Sequence, residues 1–157
     1  MVATRFEELE CWQLACELER RVLAFINKAP ASHDVEYRRQ IRKSTSSPPA
    51  NIAEGFGRYY PGDFARFMRN ALGSLHETRN HLGAGLEKQY LTEDLHRELG
   101  TLANRAIGAS VGLTTYLESC KEQWKQERKD RTKRRSRTRV SQRRGRRARK
   151  RKPRSEP

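Results

Sequence analysis

The sequence predicts an all-α protein, an antiparallel up-and-down four-helix bundle followed by a disordered basic C-terminal tail. Apolar residues recur three or four positions apart through residues 6–128, which is the spacing of one helix face. No stretch alternates apolar and polar residues as a half-buried strand does. Beyond residue 128 only Val140 and Ala148 are apolar, so this segment cannot bury enough surface to offset its ordering entropy. We therefore expect a bundle at 1–128 and an Arg/Lys-rich tail at 129–157.

The first two helices follow from the spacing and from one capping residue. Between Phe6 and Ile26 the apolar positions form one stripe: Leu9, Trp12, Cys16, Leu18, Val22 and Phe25. This stripe predicts a single amphipathic helix. A connection containing Pro30 follows, and Asp34 is placed to cap a second helix that carries Tyr37 and Ile41.

The third and fourth helices have equally clear starts. Pro61 opens a stripe that consists of Phe64, Phe67, Met68, Ala71, Leu75, Leu82 and Leu86. Thr92 precedes two acidic residues and is the predicted cap of the last helix. Its stripe consists of Leu95, Leu99, Leu102, Ala106, Ala109, Leu113, Leu117, Cys120 and Trp124, a spacing close to a heptad seam.

The stretch SPPANIAEGFGR, residues 47–58, interrupts the second helix in this interpretation. Pro48 and Pro49 lack an N–H and disfavour helix in the residue before them, which predicts a break or a sharp kink. Helix then resumes, and Gly55 is expected to end it in a left-handed conformation. Asn51, Glu54 and Arg58 fall on one face, with Glu54 and Arg58 spaced as an i, i+4 pair. These three polar residues either satisfy groups near the break or form a docking surface, and both interpretations stay open.

The same stretch belongs to a set of residues with a familiar order and spacing. The set consists of Phe6, Leu9, Trp12, Ala15, Gln40-Ile41-Arg42-Lys43, Ser47, Pro49-Ala50-Asn51-Ile52-Ala53-Glu54-Gly55, Gly57-Arg58, Phe64, Phe67, Ala71, Gly73-Ser74-Leu75 and Glu77. It resembles the signature of a bacterial four-helix-bundle family encoded in intervening sequences of large-subunit ribosomal RNA genes. That family is related to the accessory variability protein of diversity-generating retroelements. The resemblance covers roughly residues 6–118.

The resemblance implies a bundle that assembles into a ring-like homopentamer and binds nucleic acid. In the retroelement relatives it also implies binding of a reverse transcriptase, and no enzymatic activity or cofactor is attached to the fold. The sequence departs from the family pattern in two places. Pro48 stands where the family usually has an aliphatic residue, and the long basic tail is not part of the family core.

Charge is segregated along the chain. Residues 121–157 contain 19 Lys+Arg and 4 Asp+Glu, which accounts for the whole net charge of +15 and leaves 15 residues of each sign before them. Such a segment attracts polyanions, and it contains no aromatic residue after Trp124 to stack on bases. The candidate nucleic-acid-binding residues of the tail are Lys133, Arg134, Arg135, Arg143, Arg144, Arg146, Arg147, Arg149, Lys150, Arg151 and Lys152. A merely solubilising extension remains the alternative.

Three cations of the predicted bundle are further candidates for RNA or DNA contact, namely Arg38, Arg42 and Arg66. Arg38 and Arg42 share a face of the second helix, so a ring of subunits would multiply them into a basic path. Ordinary ion pairing with the acidic helices is the competing interpretation.

Two glycines of the fourth helix, Gly108 and Gly112, lower helix stability and lie beside its apolar stripe. Close approach of another backbone is the natural reason for them, either inside the bundle or between subunits of an oligomer.

The sequence supplies no catalytic, metal or cofactor constellation. The run Glu93-Asp94-Leu95-His96 lies at a helix start and lacks the partner carboxylates of a di-metal bundle. The three cysteines form no metal-binding or disulfide spacing, and no signal peptide or membrane span is evident. We therefore expect a cytoplasmic, non-enzymatic, oligomeric nucleic-acid-binding protein. The alternative is an adaptor that binds a reverse transcriptase through the face around Asn51, Glu54 and Arg58.

Overall fold

The computed structural model describes the backbone of residues 3–58 and 60–150, with side chains for these residues up to 126 and for Lys129. Four helices follow one another: α1 over Glu10–Ile26, α2 over Val35–Phe56, α3 over Pro61–Glu87 and α4 over Glu93–Lys150. Short 3₁₀ turns at Phe6–Glu8 and Ala31–His33 precede α1 and α2. The predicted all-α, four-helix fold is confirmed, and the residues just given contain no strand.

The chain divides into two units, Met1–Ser119 and Cys120–Pro157. The predicted boundary after residue 128 lies inside the second unit. In that unit the structure describes helical backbone as far as Lys150, and the boundary after residue 128 and the disordered tail from residue 129 stay predictions. Arg, Lys and Gln have high helix propensity, so helical backbone here does not need an apolar face to bury. Residues 151–157 lie outside the described residues.

Two apolar clusters fill the first unit. One joins residues of all four helices, among them Leu18 of α1, Ile41 of α2, Leu75 of α3 and Leu99 of α4, each no more than 1% exposed. The other lies where α2 ends and α3 begins, and it includes Ile52 of α2, Phe64 and Met68 of α3 and Leu117 of α4. Neighbouring helices therefore run antiparallel, since the end of each packs beside the start of the next.

The predicted caps of α2 and α4 are confirmed. The Asp34 carboxylate accepts a hydrogen bond of 2.9 Å from the backbone N–H of Tyr37. The Thr92 hydroxyl accepts one of 3.3 Å from the backbone N–H of Leu95. Both bonds satisfy N–H groups that have no partner inside their helix.

The predicted break at Pro48 and Pro49 is wrong, because α2 continues through both prolines to Phe56. Both rings are buried, and Ile52 one turn later is fully buried in the core. Burial in the bundle therefore holds the backbone helical although two amide hydrogens are missing, an override of local propensity by tertiary packing.

The expected role of Gly55 as a left-handed helix stop is also wrong. Gly55 is a buried residue inside α2, and no described glycine has a positive φ. The helix ends two residues later at Gly57, whose φ of −69° any residue can adopt, and the N–H of Gly57 donates to the Ala53 carbonyl at 3.3 Å. Gly55 therefore needs a different explanation, which its contacts with α3 supply.

Candidate nucleic-acid interface

The basic residues of the C-terminal segment were the main candidates for nucleic-acid contact. The backbone of those between Lys133 and Lys150 is part of α4, while their side chains are outside the description. Arg151 and Lys152 lie outside the described residues. The net charge of the segment remains a property of the sequence.

Arg38 and Arg42 meet at the end of α1. Arg38 is half-buried, and its guanidinium donates to the Ser32 carbonyl and to the Asn27 Oδ1, both at 3.3 Å. Arg42 is exposed and lies 3.5 Å from the same Asn27 oxygen. Asn27 is the C-cap of α1, where a positive charge is favourable. Arg38 therefore bonds to the segment that connects α1 with α2. Of the two arginines, Arg42 is the more available for a ligand.

The structure does not bring Arg66 to this pair. Arg38 and Arg42 lie near the start of α2, whereas Arg66 lies near the start of α3, at the opposite end of the helix pair. Its guanidinium carbon is 5.0 Å from the centre of the Phe67 ring. The Arg58 guanidinium carbon is also 5.0 Å from that centre. Two cations thus share one aromatic ring where α2 ends.

Ion pairing inside the bundle accounts for some predicted basic positions but not for all. Arg39 pairs with Glu36, Arg58 with Glu54 as its spacing predicts, and Arg69 of α3 with Glu118 of α4. Four exposed cations of α2 and α3 have no ion pair with another described residue. They are Arg42, Lys43, Arg66 and Arg79.

Asn51 lies in a polar contact between α2 and α3. Its amide donates to the Ser47 carbonyl at 2.9 Å and to the Ser47 hydroxyl at 3.0 Å. Ser74 of α3 donates to the same hydroxyl at 2.9 Å. Asn51 is half-buried and therefore mainly satisfies groups beside the prolines, as one of the two interpretations of the motif held.

The sequence interpretation missed a row of hydroxyls that we call the hydroxyl seam, formed by Ser44, Thr45, Ser47, Ser74 and Thr78. The Thr78 Oγ1 is 3.1 Å from the Ser44 Oγ and 3.3 Å from the Thr45 Oγ1, and it donates to the Ser74 carbonyl at 2.9 Å. Three of these residues are at most 1% exposed. Small polar residues at i, i+3 spacing in α2 and at i, i+4 spacing in α3 were the available signal.

Gly55 allows α3 to approach α2 closely. A Cβ at this position would lie 2.5 Å from the Phe64 Cδ2 and 2.8 Å from the Phe67 Cβ, both too short for a real contact. The absence of a side chain therefore lets Phe67 pack beside the end of α2. This contact of α2 with α3 fixes the position of the Phe67 ring, which Arg58 and Arg66 share.

Gly108 and Gly112 lie on an exposed face of α4, where an added Cβ would meet nothing within 4 Å. Packing inside the bundle therefore gives no reason for glycine at either position. The surrounding face carries little charge. Its exposed residues between 100 and 117 are Thr101, Asn104, Arg105, Gly108, Val111, Gly112, Thr115 and Tyr116. Val111 is 47% and Tyr116 62% exposed.

The Cys11 and Cys16 thiols do not have the character of nucleophiles. Burial raises the pKa of Cys11 to about 11, and burial together with the nearby Glu19 charge raises the pKa of Cys16. Both are therefore protonated near neutral pH. Within the described part of the chain, no three His, Cys, Asp or Glu side chains come together as metal ligands, and no helix is long and apolar enough to cross a membrane.

Comparisons with known proteins agree with this fold. One match is a protein of unknown function from the S23 ribosomal protein family of Bacteroides thetaiotaomicron, solved by crystallography. It superposes with a TM-score of 0.61 at 19% identity and covers 66% of this chain and 97% of its own. At that identity the likeness shows the fold alone. None of the curated proteins matches the chain. The model of the 23S rRNA-intervening sequence protein family matches residues 7–109, so the chain belongs to that family.

Proposed function

We propose that this protein is a non-enzymatic, oligomeric nucleic-acid-binding protein that holds RNA or DNA mainly through phosphates and with little sequence preference. The observation that carries the proposal is the segregation of charge, since residues 121–157 hold a net +15 and the preceding residues are neutral. A neutral bundle suits assembly, and a strongly basic segment suits a polyanion. The family description makes RNA the first nucleic acid to test.

Electrostatic binding of this kind has a characteristic salt dependence. If about six cations contact phosphates of a single strand, the logarithm of the binding constant falls by roughly 4 units per tenfold rise in salt. The segment has no aromatic residue beyond Trp124 for base stacking. Its contribution is therefore the same for most sequences.

Oligomerisation is supported by the exposed face of α4 that carries little charge. Exposed Val111 and Tyr116 flank glycines that have no packing role inside the bundle. Interface cores are typically poor in charged residues and rich in aromatic ones. The resemblance described above suggests five subunits, and several basic segments on one assembly would bind a long RNA with avidity.

The absence of enzymatic activity is part of the proposal. The Cys11 and Cys16 thiols have raised pKa values, and the buried hydroxyls of the seam are engaged with one another. Neither group is therefore activated as a nucleophile.

An adaptor for a reverse transcriptase is the second candidate. The observation that favours it is that Glu54 and Arg58, paired with each other, remain about half exposed at the corner where α2 ends. A partner that docks on this corner would be lost when both side chains are replaced, whereas RNA retention through the basic segment would persist.

The decisive experiment compares the full chain with a variant in which seven segment cations are replaced by glutamine, which keeps helix propensity. The replaced residues are Lys133, Arg134, Arg135, Arg143, Arg144, Arg146 and Arg147. A control replaces exposed, ion-paired arginines of the bundle, namely Arg5, Arg20, Arg39 and Arg97. Fluorescence anisotropy with a labelled RNA measures binding from low to high salt, and light scattering measures assembly.

We expect tight binding by the full chain and the control at low salt, loss of binding in the seven-residue variant, and the same assembly in all three. Binding that survives the seven replacements would refute the basic segment as the principal site. A monomer in every sample would refute the oligomer.

A further inference from the structure

Arg58 and Arg66 form an arrangement that no ion-pair pattern explains. The guanidinium carbon of each lies 5.0 Å from the centre of the Phe67 ring, so the two cations are no more than twice that distance apart. Like charges repel at such separations, and the electron-rich face of an aromatic ring offsets part of that repulsion. Both side chains remain open to solvent.

The packing of Phe67 beneath the two arginines holds this arrangement in place. Phe67 is only 9% exposed, and its Cβ packs against Gly55 so closely that no side chain fits there. The ring is therefore fixed by the contact of α2 with α3. Arg58 lies just beyond the end of α2, and Arg66 lies in the second turn of α3. Two different parts of the chain therefore place a guanidinium at the same Phe67 ring.

Only one of the two arginines is paired with a carboxylate. Arg58 is paired with Glu54, and both side chains are about half exposed. Arg66 has no ion pair within the described part of the chain, and Asp63, three residues before it, makes none with it. Two guanidinium groups thus face one engaged carboxylate. An exposed i, i+4 pair is worth little, so an incoming anion can replace Glu54 at small cost.

We propose that Arg58 and Arg66 form a phosphate clamp that holds neighbouring phosphates of one RNA strand on the bundle itself, with Glu54 as a competing internal anion. This proposal rests on the nucleic-acid binding proposed above and adds a second site to it. A guanidinium presents a planar fork that matches two phosphate oxygens, and stacking on Phe67 limits the freedom that each arginine loses on binding. The clamp contacts the RNA backbone and therefore fixes the position of the strand on the bundle without sequence preference.

The test uses four single variants of the full chain, Arg58→Gln, Arg66→Gln, Arg66→Lys and Glu54→Gln. Matched controls are Arg20→Gln and Glu17→Gln, which alter an exposed intrahelical pair on α1. The probe is a labelled oligouridine of about 16 nucleotides, the upper end of the usual site size for a single strand. Anisotropy titrations over a salt series give the affinity and its salt slope, and thermal unfolding confirms that each variant is folded.

We expect Arg66→Gln to weaken binding several-fold at low salt and to reduce the salt slope by about 0.7, the value for one lost phosphate contact on a single strand. Arg58→Gln should act in the same direction, and Arg66→Lys should restore the slope because it keeps the charge. Glu54→Gln should tighten binding by a factor of about 1.5 to 5, because the competing carboxylate is gone. The controls should match the unaltered chain.

The outcomes separate the clamp from the broader proposal. If the full chain binds the oligouridine but Arg66→Gln and Arg58→Gln behave like Arg20→Gln, the clamp is refuted and the basic segment stands. Weaker binding by Glu54→Gln would also refute it. If the unaltered chain fails to bind at low salt, the proposed nucleic-acid binding is refuted, and the clamp with it.

Discussion

The Asp34 carboxylate accepts a 2.9 Å hydrogen bond from the Lys88 ammonium, which joins residues 54 positions apart and ties the start of α2 to the end of α3. The second donor to the same carboxylate oxygen is the Tyr90 hydroxyl at 2.8 Å. Asp34 also caps α2 through the Tyr37 N–H. One carboxylate therefore serves a helix terminus and a contact between two helices.

We predict that this carboxylate stabilises the fold only where it is ionised. The hydrogen bonds from Lys88, Tyr37 and Tyr90 lower the pKa of Asp34 from 3.8 to about 2. Because the folded pKa is lower than the unfolded one, the stabilisation is complete above about pH 4 and is lost as pH falls toward 2. Asp34→Asn keeps a capping side chain but removes the charge, so it should lower the melting temperature at pH 7 and have a diminishing effect toward pH 2.

Thermal unfolding of the unaltered chain and Asp34→Asn between pH 7 and pH 2 checks this prediction. Asp94→Asn is the control, since Asp94 is 90% exposed and forms only an i, i+3 pair with Arg97. A gap between the unaltered chain and Asp34→Asn that stays constant over the whole range would contradict the assignment.

Gly55 provides the second prediction. Gly55→Ala should destabilise the bundle by about 1–3 kcal/mol, because the new methyl group would overlap Phe64 and the Cβ of Phe67. Gly73→Ala on the exposed face of α3 meets no atom within 4 Å and should instead stabilise by about 0.5–1 kcal/mol. Urea unfolding of both variants measures the change in the free energy of unfolding and its sign. A stabilising Gly55→Ala would show that the close approach of α2 and α3 is not required.

The helix caps, Gly55 and the prolines illustrate what the sequence could and could not predict. The caps Asp34 and Thr92 were identified because capping depends on residues three positions apart. The role of Gly55 was misjudged because its cause is Phe67 on the next helix, which no local pattern reveals. The prolines were misjudged for the same reason, since burial of Pro48 in the bundle outweighs its effect on the backbone.

In the candidate site, too, the sequence predicts local contacts but not contacts between helices. The pairing of Glu54 with Arg58 follows from their i, i+4 spacing and was predicted. The shared ring of Arg58 and Arg66 depends on how the connection after α2 turns, and the link between Asp34 and Lys88 depends on the whole bundle being closed. Contacts between helices require the packing that sequence periodicity leaves undetermined.

The hydroxyl seam yields the third prediction. Thr78→Val has nearly the same shape but removes the central oxygen, leaving the buried Ser44 and Thr45 hydroxyls without a neighbour on α3. We expect a loss of about 1–3 kcal/mol, the penalty for buried polar groups without a partner. Thr115→Val, at an exposed threonine that bonds only its own helix, should change stability by less than about 0.5 kcal/mol. Equal effects of the two substitutions in chemical unfolding would show that the seam contributes nothing specific.

The last prediction concerns Gly108 and separates folding from assembly. An added Cβ at Gly108 meets nothing within 4 Å, so Gly108→Ala should stabilise the isolated bundle by about 0.5–1 kcal/mol. A larger, charged side chain at the same place should act only on assembly, because a buried unpaired charge disfavours an interface. We therefore expect Gly108→Glu to remain folded by circular dichroism but to dissociate in light scattering. Gly73→Glu, which places the same side chain on the exposed face of α3, should leave the oligomer intact. If Gly108→Glu assembles as the unaltered chain does, the α4 face is not the subunit contact, and the glycines there require a different partner.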